Sequence, residues 1–240
     1  MDFRREELLI YLVARHLKNL GHICVGVSSP IPGAAAQLEK ARTGGRTVVN
    51  IIGSRDNNAF TSGAQEMFDA AAQGRIDAFF LGGGQIDGQA NINLVGAGDY
   101  PTVDVRWPGS FGSAFLYYLV PNVILFREEH SKRVLVPEVD FISAPGGSPP
   151  EHYRVGGPKC LITNMAEFSF DREKRMFRLV SVHPGYTVDD IFENTGFDYE
   201  VPSDVPQSPV PDPETLKLIR GPIAEGIAEI YPVFAEKLFG

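Results

Sequence analysis

Residues Ala78 to Tyr100 read AFFLGGGQIDGQANINLVGAGDY, an apolar run that breaks into three glycines and then a polar, glycine-spaced segment. Ile76 to Leu81 is short, continuous in apolar character and aromatic-rich, and the glycines stop it, so the pattern predicts a buried strand. Gly82, Gly83 and Gly84 permit positive φ and let a backbone approach a ligand closely, which a Cβ would resist. Gln85, Asp87, Asn91 and Asn93 place amide and carboxylate groups just past that turn. Two readings stand side by side. One is a substrate edge at the end of a strand; the other is a strand-to-strand turn dressed with solvated polar residues.

Upstream, residues 2–20 put Leu8, Leu9, Leu12, Val13, Leu17 and Leu20 on one helical stripe, and Gly21 ends it. His22 to Val27 reads as a strand and Ser28 to Gly33 as a turn in which Pro30 and Pro32 exclude a helix, with a helix over Ala34 to Ala41. The free N–H groups at the start of that helix suit an anion or a carbonyl oxygen, or serve no ligand at all. Thr47 to Ile52, TVVNII, is the next strand, interrupted by Asn50, whose amide either satisfies backbone groups or enters a pocket. Arg55 and Asp56 read as a loop ion pair, and Ser62 as the N-cap of a helix to Gln73. This alternation predicts an α/β fold with an open, mostly parallel sheet flanked by helices.

Downstream, Trp107 to Ala114 is a second glycine-punctuated loop. Tyr117 to Phe126 reads as an apolar strand region with a turn at Pro121 and Asn122, Arg127 to Arg133 as a charged hairpin turn exposing His130, and Val134 to Val136 as a strand. Cys160 to Thr163, Phe168 to Asp171 and Met176 to Val182 predict a β-meander. Thr187 caps a short helix carrying Asp189 and Asp190 in its first turn. Residues 201–213 are proline-rich and read as an extended arm, within one domain spanning residues 1–240. Two more helices are expected, over Pro213 to Arg220 and Ile227 to Leu238.

The composition excludes several function classes. A hydrophobic content of 43% with 22% charged residues describes an ordinary soluble protein, and no run reaches the roughly 18 apolar residues of a membrane span. Asp2, Arg4, Arg5, Glu6 and Glu7 precede the first apolar run, which argues against a secretory leader. Cys24 and Cys160 are too isolated for a disulfide framework or a metal site, so no metal is expected and the cytoplasm is the expected location. A net charge of −8 argues against a nucleic-acid groove, because phosphate neutralisation needs a basic stripe. There is no Walker loop, no GxGxxG, no GxSxG elbow and no HExxH, and His22, His152 and His183 are scattered.

The order of segments carries more. Gly83-Gly84-Gln85-Ile86-Asp87 with Asn91 and Asn93, Gly98-Asp99-Tyr100, Gly109-Ser110-Phe111-Gly112, Asp140 to Pro145, and Pro184-Gly185 through Asn194-Thr195-Gly196-Phe197 follow one another in a collinear set. That set resembles the β subunit of the glutaconate-type class I coenzyme A transferases. The resemblance implies an open α/β fold, an α subunit of related fold, and an active site between the two where an acyl-CoA thioester lies. Coenzyme A then enters as part of the substrate and no separate cofactor is implied. In that family a glutamate at the end of the second strand attacks the thioester. Here Ile51 falls at its place, and isoleucine cannot be a nucleophile. Phe111 likewise replaces a smaller residue of the family's glycine loop.

A β subunit without the glutamate resembles a narrower group, the β subunits of hydrolases that open the last steroid ring, left from rings C and D, as a cyclohexenone carboxyl-CoA. That resemblance implies a base on the α subunit, so no catalytic residue is expected in this chain. The candidates for contacting substrate or holding an enolate oxygen are Asn50, Gly83, Gly84, Gln85, Asp87, Gly109 and Gly112. Two alternatives remain open. One is a CoA transferase drawing its acid from Glu66 or Asp56; the other is a scaffold that only completes its partner's fold.

Overall fold

A computed structural model describes residues 2–240. The elements run, in chain order, α1 Arg5–Arg15, β1 His22–Val25, α2 Pro30–Arg42, β2 Val48–Ile51, α3 Ala64–Ala72, β3 Ala78–Leu81, β4 Gln85–Ile86, β5 Ile92–Asn93, β6 Gly96–Ala97 and β7 Val105–Arg106. There follow α4 Ser113–Leu119, β8 Asn122–Arg127, β9 Pro158–Thr163, β10 Ala166–Asp171, β11 Met176–Val182, α5 Val188–Asn194, α6 Pro213–Leu218, α7 Ala224–Ile230 and α8 Pro232–Phe239. They fall into two compact units, Met1–Phe80 with Pro209–Gly240, and Leu81–Ser208.

In the first unit β1 sits between β2 and β3 and is parallel to both, with Cys24 opposite Asn50 and Val25 opposite Ile51. Side chains alternate across a strand. His22, Cys24 and Asn50 therefore share one face, and Val25 and Ile51 the other. Helix α2 packs on α1 and α7, and its interior-facing residues Ile31, Ala34, Ala35 and Leu38 are wholly buried. Glu7 is buried too, and Arg220 holds its carboxylate through Nε to Oε1 at 2.6 Å and Nη2 to Oε2 at 2.9 Å.

In the second unit β8 and β9 are parallel, and β9, β10 and β11 form the antiparallel meander expected from the sequence. Thr187 caps α5: its Oγ1 accepts from Asp190 N at 3.2 Å while Asp190 Oδ2 accepts from Thr187 N at 2.8 Å. The segment after α5 runs beside β11 through bridges from Glu200 to Arg178 and Gln207 to Val182. The elements together form an α/β fold with an open, mostly parallel sheet.

Five local expectations are corrected. Helix α2 starts at Pro30 rather than after Pro32, because the first turn of a helix has no acceptor for those N–H groups and proline loses nothing there. Residues 117–119, expected to open a strand, instead close helix α4, since a short apolar run fits a buried helix as well as a strand. Ser62 does not cap α3; Gly63 occupies that position with φ +61°. Val134 to Val136 is not a strand and contributes a single bridge, Leu135 to Ile86. His130 is buried, not exposed.

Candidate functional site

The triple glycine is closed by its own chain. A Cβ on Gly83 would lie 2.7 Å from both Gln85 O and Ile92 Cγ2, and one on Gly84 would overlap the Trp107 indole. The Gly84 amide donates to Asn93 O at 2.9 Å, so it is spent on the β4–β5 hairpin and is not available to an enolate oxygen. Glycine is needed here for close approach, and what approaches is Trp107.

The polar residues after the glycines are neither solvated nor idle. Gln85, Asp87, Asn91 and Asn93 are all buried. Gln85 Nε2 donates to Asp140 Oδ2 at 2.9 Å, and Gln85 Oε1 accepts from Asp140 N at 3.0 Å and Asn93 Nδ2 at 2.7 Å. Asn93 Oδ1 accepts from Val95 N at 2.9 Å, and its Nδ2 also donates to Gly96 O at 2.7 Å. Asp87 Oδ1 accepts from Gln89 N and Asn91 N, both at 3.0 Å, while its Oδ2 takes Asn91 Nδ2 at 3.0 Å. Asn91 Oδ1 then accepts from Gly146 N at 3.1 Å. Five side chains thus supply partners that short, irregular strands cannot give one another. A cavity of about 730 Å³ lies beside this hairpin, lined among others by Asp87, Asn91, Glu138, Arg175, Met176 and Phe197.

The second glycine loop is different. Gly109 has φ +109° and open space where a Cβ would be, and Phe111 has φ +43° and is 87% exposed. Gly112 stands directly before α4. Gly109 thus lies in an open stretch and Gly112 leads into α4, whereas Gly83, Gly84, Gln85 and Asp87 belong to a closed loop.

Asn50 lies in the first unit. Its Nδ2 donates to His22 Nε2 at 2.7 Å and its Oδ1 accepts from Ala59 N at 2.6 Å. His22 Nδ1–H donates to Arg75 O at 2.8 Å, which leaves Nε2 as the acceptor and fixes the tautomer. The Cys24 thiol sits 3.5 Å from the same Nε2, and burial pushes its pKa up to about 12, so it is no nucleophile. Ile51, on the opposite face, is wholly buried, with Cδ1 3.6 Å from where a Cβ on Gly33 would stand. Glu66 accepts from Thr61 N and from Ser62 N, the Ser62 bond being the main cause of its lowered pKa. Asp56 is ion-paired with Arg55 at 3.0 Å, as expected, and that hydrogen bond lowers its pKa.

Sequence reasoning missed a buried relay in the second unit. His130 Nδ1 meets Thr163 Oγ1 at 2.8 Å and its Nε2 meets Thr195 Oγ1 at 2.9 Å, while Thr195 donates on to Ile191 O at 2.7 Å. His183 Nε2–H donates to Thr163 O at 3.0 Å, so its Nδ1 accepts from Ser208 Oγ at 2.7 Å. Burial pushes His130 down to about 4, with His183 adding to the shift. Burial also pushes His183 down to about 4, against the Thr163 carbonyl and Glu167, which oppose it. Only Val182 beside His183 hinted at burial, whereas His130 stands among charged residues. Among the described residues no three His, Cys, Asp or Glu side chains gather as a metal set, and no helix is long and apolar enough to cross a membrane.

Comparison with known proteins adds family information to this geometry. The model of the coenzyme A transferase family matches residues 7–194. The chain is 33% identical to the B-type subunit of glutaconate CoA-transferase from Acidaminococcus fermentans over 158 residues, 63% of this chain and 58% of that protein. It is 32% identical to the IpdB subunit of the cholesterol ring-cleaving hydrolase from Rhodococcus jostii over 160 residues, 65% of this chain and 62% of that one. These alignments span less than two thirds of either relative's length. Among solved structures, that of the decarboxylase AibA/AibB superposes with a TM-score of 0.79 over 100% of both chains at 24% identity, which establishes a shared fold. One fold therefore carries proteins named for three different reactions.

Proposed function

Given that this chain belongs to the coenzyme A transferase family, we propose that it is the B-type subunit of a heteromeric acyl-CoA enzyme that opens a carbon–carbon bond by hydrolysis. The substrate class is a ring ketone carried as a thioester, such as a steroid-derived cyclohexenone carboxyl-CoA. One observation carries the choice of hydrolase over transferase: Ile51, at the end of β2, is wholly buried in apolar surroundings. No side chain at that position can form an acyl-enzyme, and losing a covalent nucleophile costs several decades of rate, up to about a millionfold.

The reaction then needs no acid from this subunit. A base on the A-type partner activates water, which adds to the ring ketone. The adjacent carbon–carbon bond breaks, its electrons pass to the thioester as an enolate, and a proton returns to carbon. What this subunit contributes is a set of fixed dipoles for the enolate oxygen, and the open Gly109–Gly112 loop is where we place them. Gly84 is not among them, its amide being committed to Asn93.

A second reading is favoured by the 33% identity to a transferase chain. It requires Glu66 or Asp56 as nucleophile, and both carboxylates are already engaged by backbone N–H groups or by Arg55. The test is turnover by the complex of this chain with its A-type partner, offered a cyclohexenone carboxyl-CoA with and without acetate. The expected product is heavier by one water and keeps its CoA. CoA found on acetate, or a hydroxylamine-sensitive acyl group on this chain, would replace the hydrolase reading with the transferase one.

A further inference from the structure

Arg55, Arg133, Arg178 and Arg220 each meet a carboxylate, at Asp56, Glu129, Glu200 and Glu7. Arg154, Arg172 and Arg175 break that pattern. Among the described residues none of the three pairs with an acid, in a chain whose net charge is −8. They also stand together. Arg154 Nε and Arg172 Nη2 both donate to Gly156 O, at 2.9 and 2.7 Å, and Arg172 Nη1 donates to Val155 O at 3.0 Å. Arg154 Nη2 reaches Tyr117 O at 3.0 Å, and its guanidinium lies 5.2 Å from the Tyr117 ring centroid. Burial lowers the Arg154 pKa, and the charges of Arg172 and Arg175 lower it further.

Arg175 is the uncommitted member. It ends the turn between β10 and β11 at φ +53° and makes no hydrogen bond or ion pair among the described residues. Its guanidinium lies over Gly147, where a Cβ would come to 2.8 Å from Nε, and a Cβ on Gly157 would come to 3.1 Å from Arg172 Nε. Two glycines thus make room for two cations. The Gly147 and Ser148 amides donate to no group among the described residues. Arg175 also lines the cavity beside the β4–β5 hairpin, but Asp87, Glu138 and Asp198 line it too, which disfavours an anion on that side. Like charges gathered without a counter-charge repel one another, and a guanidinium with free N–H groups matches two oxygens of a phosphate.

We infer that Arg175, with Arg154 and Arg172 behind it, forms an oxoanion site over the Gly147–Ser148 loop that takes the phosphate group of a small ligand. This goes beyond the acyl-CoA reading and does not depend on the reaction proposed there. The phosphate belongs either to CoA itself or to a free phosphorylated molecule, and the two sources are separable.

The test is calorimetric titration of the assembled two-subunit complex with inorganic pyrophosphate, CoA and dephospho-CoA. The wild-type complex is expected to bind pyrophosphate, and Arg175→Asn, which suits the positive φ and removes no internal contact, to weaken that binding about tenfold. Arg175→Lys, keeping the charge but not the planar fork, should recover part of the loss. Arg178→Asn, on the adjoining strand but paired with Glu200, should leave binding unchanged. Where CoA binds more tightly than dephospho-CoA and Arg175→Asn erases the difference, the phosphate is CoA's own. Where Arg175→Asn weakens pyrophosphate but neither form of CoA, the ligand is a separate phosphorylated molecule. Equal pyrophosphate binding by wild type and Arg175→Asn would overturn the inference, and so would equal weakening by Arg178→Asn, the mark of a diffuse charge effect. A wild-type complex that binds no pyrophosphate also overturns it, in favour of a partner carboxylate if Arg175→Asn loosens assembly.

Discussion

Two glycine loops that look alike in sequence do opposite things. At Gly82–Gly84 the missing side chains are filled from within, by the Trp107 indole, Ile92 and the Gln85 and Phe126 carbonyls. At Gly109 the space stays open, and two residues on Phe111 is exposed. The first loop uses glycine to let its own chain come close, the second to hold a backbone shape that presents something outward. A glycine run therefore signals close approach or unusual φ without saying which, and its neighbours decide.

The contrast can be broken most forcefully at Gly84. Gly84→Ala places a methyl inside the indole ring, and overpacking of this kind costs about 3 kcal/mol; urea unfolding should show it, together with a shift in Trp107 emission. A loss under about 0.5 kcal/mol would mean the loop yields easily and is not closed. Next comes Asn93→Ala, which removes the side-chain partners of Val95 N and Gly96 O and one of the two donors to Gln85 Oε1. The expected cost is about 2 kcal/mol, with hydrogen exchange accelerated across the β4–β5 hairpin and not at α4.

Acid sharpens the comparison by bringing in a third region, knitted by imidazoles rather than amides. His130 and His183 sit near 4 in the fold against an ordinary 6.5. Above pH 6.5 both states hold them neutral and stability is complete. Between 6.5 and 4 the unfolded chain takes up protons first, so stability falls by up to about 1.4 kcal/mol per histidine per pH unit. Below 4 the loss levels off. Melting at pH 7 and pH 5 should reveal this slope, and His130→Gln and His183→Gln should each flatten it. Hydrogen exchange should loosen Ser208 and Thr195 before the Gly84–Asn93 hairpin; the opposite order would refute the assignment. The smallest effect is at the open loop. Phe111→Gly relieves a positive φ and should stabilise the chain by about 1 kcal/mol, read as a raised urea midpoint.

Much of the fold was legible because its signals are local. The β-branched run at β2, the alternation of strand and helix, the β9–β11 meander and the Thr187 cap each depend on residues within a few positions. The failures share a different cause. Pro30 misled because a helix's first N–H groups have no acceptor to lose. The YYL run of α4 misled because apolarity without period fits two structures. His130 sits in REEHSKR, whose charges imply solvent, and only the fold brings Thr163 and Thr195 to it. Asn50 was read as either a backbone-satisfying amide or a pocket residue, and its partner His22 was not foreseen because the neighbouring strand supplies it.

The first unit is assembled from two stretches separated by the whole of the second, and this sets an order of events at the ribosome. Helix α2 emerges early, yet Gln37 meets Gly226, and Glu7 meets Arg220, only after the intervening residues have been made. At elongation rates of roughly 5–20 residues per second that wait is on the order of ten seconds. Throughout it the apolar faces of α1 and α2 are unclosed, while residues 81–208 already have their own contacts complete. Nascent chains stalled before residue 209 should therefore bind holdase chaperones through their N-terminal portion, and release them once α7 has cleared the exit tunnel.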